Sequence, residues 1–182
     1  MPHRFFAAAL LPDDAKDRLV AVQPPAFPAI RLIGRQELHL TLHFLGEFAP
    51  RCESVVRRAL STVTVHAFTI TIRGIGRFPD EGQPQVLWAG VERSPALLML
   101  HNSISSALSV AIGFRPEARP YSPHVTLARL SGPAPPGFVE HYLEENQGLQ
   151  VPPSLINRFA LFSSILEDDL PKYREEAVVD LL

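Results

Sequence analysis

Two short segments of the chain share one pattern of histidine and threonine side chains. Residues 39–45 read HLTLHFL and residues 124–130 read HVTLARL, so both fit H-x-T-L-x-x-L. For this composition about 0.03 occurrences of H-x-T-L are expected by chance, and two are present. The repetition therefore indicates a duplicated functional element.

Histidine and threonine two positions apart on a strand can act together on a phosphodiester. Residues i and i+2 of a β-strand project from the same face, about 6.6 Å apart. An imidazole exchanges protons near neutral pH, and a threonine hydroxyl donates a hydrogen bond to a phosphate oxygen. Across one cleft, His39, Thr41, His124 and Thr126 suit in-line displacement at phosphorus. One imidazole would deprotonate the attacking water and the other would protonate the departing oxygen.

Alternating strand and helix patterns place both motifs on strands. Strands are predicted at residues 4–11, 39–47, 68–75, 86–91, 124–130, 157–166 and 176–182. Helices are predicted from Asp13 or Asp14, as the cap, to residue 22, and over 50–63, 95–112 and 138–146, with Ser94 and Gly113 bounding the third. A turn-rich loop over 76–85 and prolines at 24–28, 152–153 and 171 are expected to interrupt regular structure. Short, half-polar strands favour an antiparallel α+β fold.

The amino-acid composition excludes several classes of protein. The 182 residues are 46% hydrophobic with a formal charge of −2, which excludes a disordered chain and gives no broad basic face for duplex nucleic acid. No apolar run reaches the roughly 18 residues of a membrane span, and residues 3–11 fit a buried strand better than a secretory signal. Cys52 is the single cysteine. A cytoplasmic protein without membrane attachment is expected.

The motifs and their surroundings resemble the two-histidine phosphoesterase superfamily, and more narrowly the RNA 2′,3′-cyclic phosphodiesterases, also called 2′-5′ RNA ligases. The resemblance runs from residue 4 to about residue 130 and continues in the closing strand. It rests on RFFA at 4–7, LHLTLHFLG at 38–46, GIGRFP at 74–79, VLWAG at 86–90, PHVTLAR at 123–129 and FSSIL at 162–166. His43 departs from the family pattern and leaves the motif intact.

The resemblance implies a single bilobal domain over residues 1–182, with two antiparallel sheets related by a pseudo-two-fold axis, lining a central cleft, and helices outside. It implies a monomer that acts on RNA ends or nucleotides bearing a 2′,3′-cyclic phosphate, with no metal and no cofactor. His39 would donate the proton to the leaving oxygen and His124 would accept the proton from water. Thr41, Thr126 and Arg129 would bind the substrate.

Strand geometry alone does not deliver Arg129 to this cleft. It lies five residues after His124, an odd number, so an unbroken strand sends the two side chains to opposite faces. A β-bulge, or an early end of the strand near residue 128, is needed to turn Arg129 around. We therefore expect an irregularity between His124 and Arg129.

Other side chains receive more ordinary interpretations. His39 and His43 would lie about 13 Å apart on a strand, too far to share a zinc ion. Trp88 is expected in the core, while Phe78 and Tyr121 are candidates for stacking on a nucleobase.

The predicted reaction is hydrolysis of a terminal 2′,3′-cyclic phosphate to a 2′-phosphate, and the same cleft would form a 2′-5′ linkage with an RNA 5′-hydroxyl. Two alternatives stay open at this point. One is a hydrolase of another small cyclic phosphate, such as ADP-ribose cyclic phosphate. The other is a non-catalytic module that binds RNA ends.

Overall fold

A computed structural model describes residues 4–79, 81–83, 85–167 and 170–182. Within these residues the strands are β1 (Arg4–Leu10), β2 (Ile30–Leu32), β3 (His39–Glu47), β4 (Phe68–Phe78), β5 (Val86–Val91), β6 (His124–Leu130), β7 (Gln150–Ile156), β8 (Arg158–Glu167) and β9 (Leu170–Asp180). The helices are α1 (Asp13–Ala21), α2 (Pro50–Ser61), α3 (Pro95–Ile112) and α4 (Phe138–Asn146), with a 3₁₀ turn at Arg35–Glu37.

All of the strand pairings in the described residues are antiparallel, as predicted. The strand order is β7-β4-β5-β6-β3-β1-β8-β9, with β2 added beside β6. The motif strands β3 and β6 meet in the middle at a single pair, Leu40 opposite Val125. We call β3-β1-β8-β9 the first lobe and β6-β5-β4-β7 with β2 the second lobe. The two expected sheets are thus joined at one point into a continuous nine-stranded sheet.

The same order of elements builds each lobe around its motif strand. In the first lobe β1 and α1 precede β3, and in the second lobe β5 and α3 precede β6. β1 pairs with β3 as β5 pairs with β6. This correspondence gives the bilobal arrangement that the family resemblance implies.

Burial separates the two faces of each motif strand. Leu40, Leu42, Val125 and Leu127 are at most 3% exposed and pack in a core shared with α1, α2 and α3. The histidines and threonines between them lie half-buried on the opposite face. Because each buried leucine or valine contributes about 1.5–3 kcal/mol, a slip of one residue in register would be costly.

Helix α3 begins and ends as predicted. The backbone N–H of Leu97 donates to Oγ of Ser94 at 3.2 Å, and Gly113 ends the helix in the left-handed conformation with φ of 69°. By length and composition α3 is also the one helix in the described residues that could cross a membrane. Its residues Leu97, Leu100, Ile104 and Leu108 are fully buried in the core, while 22% of the helix as a whole is buried.

The predicted cap of α1 is wrong. Pro12 occupies the N-cap position, and no side chain caps the helix there. Asp13 and Asp14 lie in the first turn, where acidic side chains interact favourably with the helix dipole. Asp13 also forms an ion pair with Arg35 at 3.1 Å, which ties α1 to the 3₁₀ turn ahead of the first motif.

Three prolines that were expected to interrupt regular structure lie inside strands. Pro152 and Pro153 belong to β7 and Pro171 to β9. These strands form the two ends of the sheet, where a residue without a backbone N–H is tolerated because one side of the strand has no partner. Strand β4 also continues to Phe78, into the predicted loop, of which residues 80 and 84 fall outside the described residues.

Strand β4 passes unusually close to an aromatic ring at Gly76. This residue pairs with Trp88 on β5, and a Cβ atom at Gly76 would lie 2.2 Å from the indole carbons. Only a residue without a side chain leaves room for the ring to lie over the strand.

We expect Gly76→Ala to lower the free energy of unfolding by about 1–3 kcal/mol, the usual cost of overpacking. Urea denaturation measures the change. Gly148→Ala is the matched control, since a Cβ there meets nothing within 4 Å. Equal stability of Gly76→Ala and the unmodified protein would contradict this packing.

Candidate active site

The two motif strands open a cleft where they diverge from their shared pair. Its cavity of about 530 Å³ is lined by all five residues expected to act on or bind the phosphate: His39, Thr41, His124, Thr126 and Arg129. Because Leu40 lies opposite Val125, the antiparallel register places His39 level with Thr126 and Thr41 level with His124. In strand register, each motif's histidine thus stands opposite the threonine of the other motif.

Backbone carbonyl groups fix the orientation of both imidazoles in the same way. Nδ1 of His39 lies 2.6 Å from the carbonyl oxygen of Glu37, and Nδ1 of His124 lies 2.7 Å from that of Ser122. A carbonyl oxygen can only accept, so Nδ1 carries the proton in each ring. In the neutral rings Nε2 is therefore the proton acceptor, and it becomes a donor when the ring is protonated.

Aromatic rings surround His39. Phe6 stacks on the imidazole with centroids 5.0 Å apart, and Phe162 and Tyr173 lie at 6.0 and 5.6 Å. Burial of the ring is the main cause that lowers the pKa of His39 to about 4, and the nearby charges of Arg129 and His124 contribute in the same direction. The imidazole is consequently neutral at pH 7 in the free protein.

His124 has a similar environment on the other side of the cleft. Phe78 lies edge-on at 5.0 Å and Trp88 at 6.1 Å between ring centroids. Burial lowers the pKa of His124, and the charge of Arg129 acts in the same direction. Trp88 is half-buried rather than in the core, and its Nε1 is buried without a hydrogen-bond partner.

A β-bulge delivers Arg129 to the cleft. On β5, the neighbours Leu87 and Trp88 pair with Ala128 and Thr126, so Leu127 is an extra residue on β6. The extra residue reverses the alternation, and Arg129 lines the cavity with an exposed side chain. Of the two irregularities that the sequence left open, the bulge is the one present.

Sequence reasoning missed Phe44, which occupies the position of Arg129 in the other motif. Leu42 is an extra residue on β3, because Thr41 and His43 pair with the neighbours Ala8 and Ala7. Phe44 therefore turns to the cleft, where its side chain lines the cavity and remains 58% exposed. Aligning the two motifs residue by residue would have found it, since both stand five positions after the histidine.

The candidates for nucleobase stacking do not line the cavity. Phe78 contacts Trp88 and His124, as described above. The hydroxyl of Tyr121 donates a hydrogen bond to the carbonyl oxygen of Thr41 at 2.9 Å. The ring of Tyr121 stacks on the imidazole of His101, with centroids 4.2 Å apart. Both aromatic side chains thus support the motifs from outside the cleft.

The bulge at Leu42 also sends His43 away from the cleft. His43 is 5% exposed, packs against the ring of His101 at 3.9 Å, and its Nε2 lies 2.8 Å from the carbonyl oxygen of His101. His39 and His43 therefore face opposite sides of the sheet. Throughout the part of the chain that the structure describes, no group of three or more His, Cys, Asp or Glu side chains is placed to hold a metal ion.

Known proteins match both the sequence and the fold. The sequence profile of the 2′-5′ RNA ligase superfamily matches residues 11–164. A relative from Methanothermobacter thermautotrophicus, named RNA 2′,3′-cyclic phosphodiesterase, is 31% identical over 188 aligned positions. The alignment covers the full length of both chains. A relative of the same name from Archaeoglobus fulgidus is 29% identical over 97% of this chain and 99% of its own.

Solved structures agree with these matches. TT0787 of Thermus thermophilus superposes with a TM-score of 0.79 at 28% identity, over 97% of each chain. Apo LigT of Escherichia coli superposes with a TM-score of 0.74 at 25% identity, over 99% of this chain and 98% of its own. The fold and the paired motifs are those of a two-histidine phosphoesterase. Within that class, the chain belongs to the 2′-5′ RNA ligase superfamily.

We expect Arg129→Gln to raise the pKa of both His39 and His124, because the guanidinium charge disfavours a second positive charge on either ring. NMR titration of the imidazole protons measures both values. Arg58→Gln, on the exposed side of α2, is the control and should change neither. Unaltered values in Arg129→Gln would mean that the guanidinium does not face the rings.

Proposed function

We propose that this protein is an RNA 2′,3′-cyclic phosphodiesterase that hydrolyses terminal 2′,3′-cyclic phosphates to 2′-phosphates. The observation that carries the proposal is the pair of imidazoles, each fixed by a backbone carbonyl at Nδ1 and both lining one cavity. The relatives named above for this activity support the substrate class.

The hydrolytic step follows from the chemistry of the five residues. His124 accepts a proton from water at Nε2 while the water oxygen attacks phosphorus in line. The bond from phosphorus to the 3′-oxygen breaks, and His39 delivers its Nε2 proton to that oxygen, which leaves a 2′-phosphate. Thr41, Thr126 and Arg129 donate hydrogen bonds to the non-bridging oxygens, whose charge grows in the transition state.

The same arrangement supports joining of RNA ends. An RNA 5′-hydroxyl in place of water would lose its proton to His124 and attack the same phosphorus atom. The 3′-oxygen would leave with the proton of His39, and the product would carry a 2′-5′ linkage. We propose this as a second outcome of one cleft.

We further propose that residues 1–182 form one bilobal domain that works as a cytoplasmic monomer. One hydrophobic core includes residues from both lobes, such as Leu40 and Val125. Light scattering of the purified protein tests the monomer.

Turnover of 2′,3′-cyclic AMP in the presence of EDTA tests the function directly. Two acid–base groups and three hydrogen-bond donors account for the reaction without a Lewis acid, so we expect hydrolysis to survive exhaustive chelation. Phosphorus NMR should identify the 2′-phosphate. Loss of activity with EDTA, restored by zinc or manganese, would contradict the mechanism. Turnover of ADP-ribose cyclic phosphate alone, or binding of RNA ends without turnover, would instead support one of the alternatives.

Substitution of either histidine should be severe and not additive. We expect His39→Ala and His124→Ala each to lower kcat by about 10²–10⁴, the range for positioned acid–base groups. The double variant should be little worse than either single variant, because the two rings act as one unit. Thr41→Val and Thr126→Val should cost at most about the effect of one oxyanion donor. Full activity in both histidine variants would mean that the motif has a structural role and no catalytic one.

The pH dependence of kcat/KM tests the paired roles. Reaction needs one ring protonated and the other neutral, and the pKa of each ring lies below 6.5 in the free protein. The active form therefore peaks below pH 6.5, and kcat/KM should fall about tenfold per unit above it. At lower pH the proton acceptor becomes charged and kcat/KM should fall again. A profile that is flat from pH 5 to 8 would remove acid–base catalysis.

A substrate with a nitrophenyl leaving group separates the two roles. Its departure needs no proton, so His39→Ala should keep much of its activity on this substrate and lose the alkaline limb. His124→Ala should stay impaired. The opposite pattern would show that the roles are exchanged.

A further inference from the structure

A glutamine outside the cleft contacts the bulge that orients Arg129. Gln23 lies between α1 and β2, and its side chain is half-buried. Nε2 of Gln23 donates to the carbonyl oxygen of Leu127 at 3.0 Å and to that of Ile33 at 2.6 Å. Gln23 has no role in the proposed hydrolytic step.

The carbonyl that Gln23 binds belongs to the extra residue of the bulge. Leu127 has no partner on β5, as expected for the extra residue of a bulge. On the β2 side of β6, its carbonyl oxygen accepts from the backbone N–H of Ile33 at 2.9 Å, in continuation of the β2–β6 register, and from Gln23. These two bonds use both lone pairs of that oxygen. The bulged residue is thus held from the β2 side of the strand.

We infer that Gln23 is a positioning residue for Arg129. Its two hydrogen bonds tie the segment that contains Ile33 to the bulge at Leu127, and that bulge turns Arg129 into the cleft. Without the amide donor, the bulge at Leu127 would lose one of the hydrogen bonds that stabilise it. The strand would then return to regular pairing, and the guanidinium would leave the cavity. The inference rests on the proposed function only for its kinetic consequence.

The other motif strand has a matching arrangement. Tyr121 donates its hydroxyl to the carbonyl oxygen of Thr41, the residue directly before the bulge at Leu42. Gln23 follows β1 and α1 and binds the second motif strand, while Tyr121 follows β5 and α3 and binds the first. Each lobe's connection to its own motif strand thus donates to the bulged part of the other motif strand. The correspondence supports a role for Gln23 in holding the bulge.

The first experiment measures the position of the guanidinium through the histidines. Gln23→Met keeps the length of the side chain and removes its donors. If Arg129 leaves the cleft, the pKa of His39 and of His124 should rise in Gln23→Met in the same direction as in Arg129→Gln. This NMR readout needs no enzymatic activity, so it tests the inference even if the proposed function fails. Unchanged pKa values in a folded Gln23→Met protein would overturn the inference.

The second experiment is a double-mutant cycle on 2′,3′-cyclic AMP. We expect Gln23→Met to lower kcat/KM about tenfold in the unmodified protein, and less than about twofold when Arg129→Gln is already present. Equal losses in both backgrounds would overturn the inference, because Gln23 would then act independently of Arg129. A loss confined to the unmodified background supports it.

A matched control separates this effect from a general loss of stability. Oγ1 of Thr62, which follows α2, donates to the carbonyl oxygen of Ala59 at 2.8 Å. Thr62→Val removes a side-chain-to-carbonyl bond at a helix that packs on α3, and it should leave kcat/KM and both histidine pKa values unchanged. If Gln23→Met does not fold, Gln23→Asn replaces it in both experiments, because its amide is one methylene too short to bridge the two carbonyls.

Discussion

The single pair between Leu40 and Val125 is the constraint on which the site depends. It holds the motif strands in antiparallel register, which sets each histidine opposite the threonine of the other motif. Full pairing along β3 and β6 would close the cleft into a flat sheet, and no pairing would leave the register undetermined. One point of contact with divergence on both sides gives a concave site from two strands that are otherwise ordinary.

Burial governs the chemistry of that site. Aromatic rings against His39 and His124 lower both imidazole pKa values, and the guanidinium of Arg129 reinforces the effect. The free protein therefore holds two neutral bases next to one fixed cation. An anionic phosphate brings the negative charge that this arrangement lacks, so binding of a phosphate favours protonation of one ring. In the proposed mechanism, substrate binding would thereby prepare the proton donor.

Local patterns in the sequence predicted most of the elements and the inward faces of the motif strands. They also predicted that His39 projects with Thr41 and His124 with Thr126, because alternation along a strand is a local property; that both pairs line one cleft followed from the family resemblance. The bulges at Leu42 and Leu127 could not be located, since a bulge depends on the partner strand. For the same reason Phe44 was missed and Arg129 remained conditional. The prolines of β7 and β9 were wrongly predicted to interrupt regular structure, because only the order of the strands shows which of them lie at the ends of the sheet.

Among the motif residues that line the cleft, the two halves differ in type at one pair of equivalent positions, Phe44 and Arg129. Two identical halves would accept a cyclic phosphate in either of two orientations related by the axis, and would expel the 2′-oxygen and the 3′-oxygen equally. A cation on one side and an aromatic ring on the other make the two orientations unequal in energy. In the proposed reaction, the choice between expelling the 2′-oxygen and the 3′-oxygen would then depend on this difference between the two motifs.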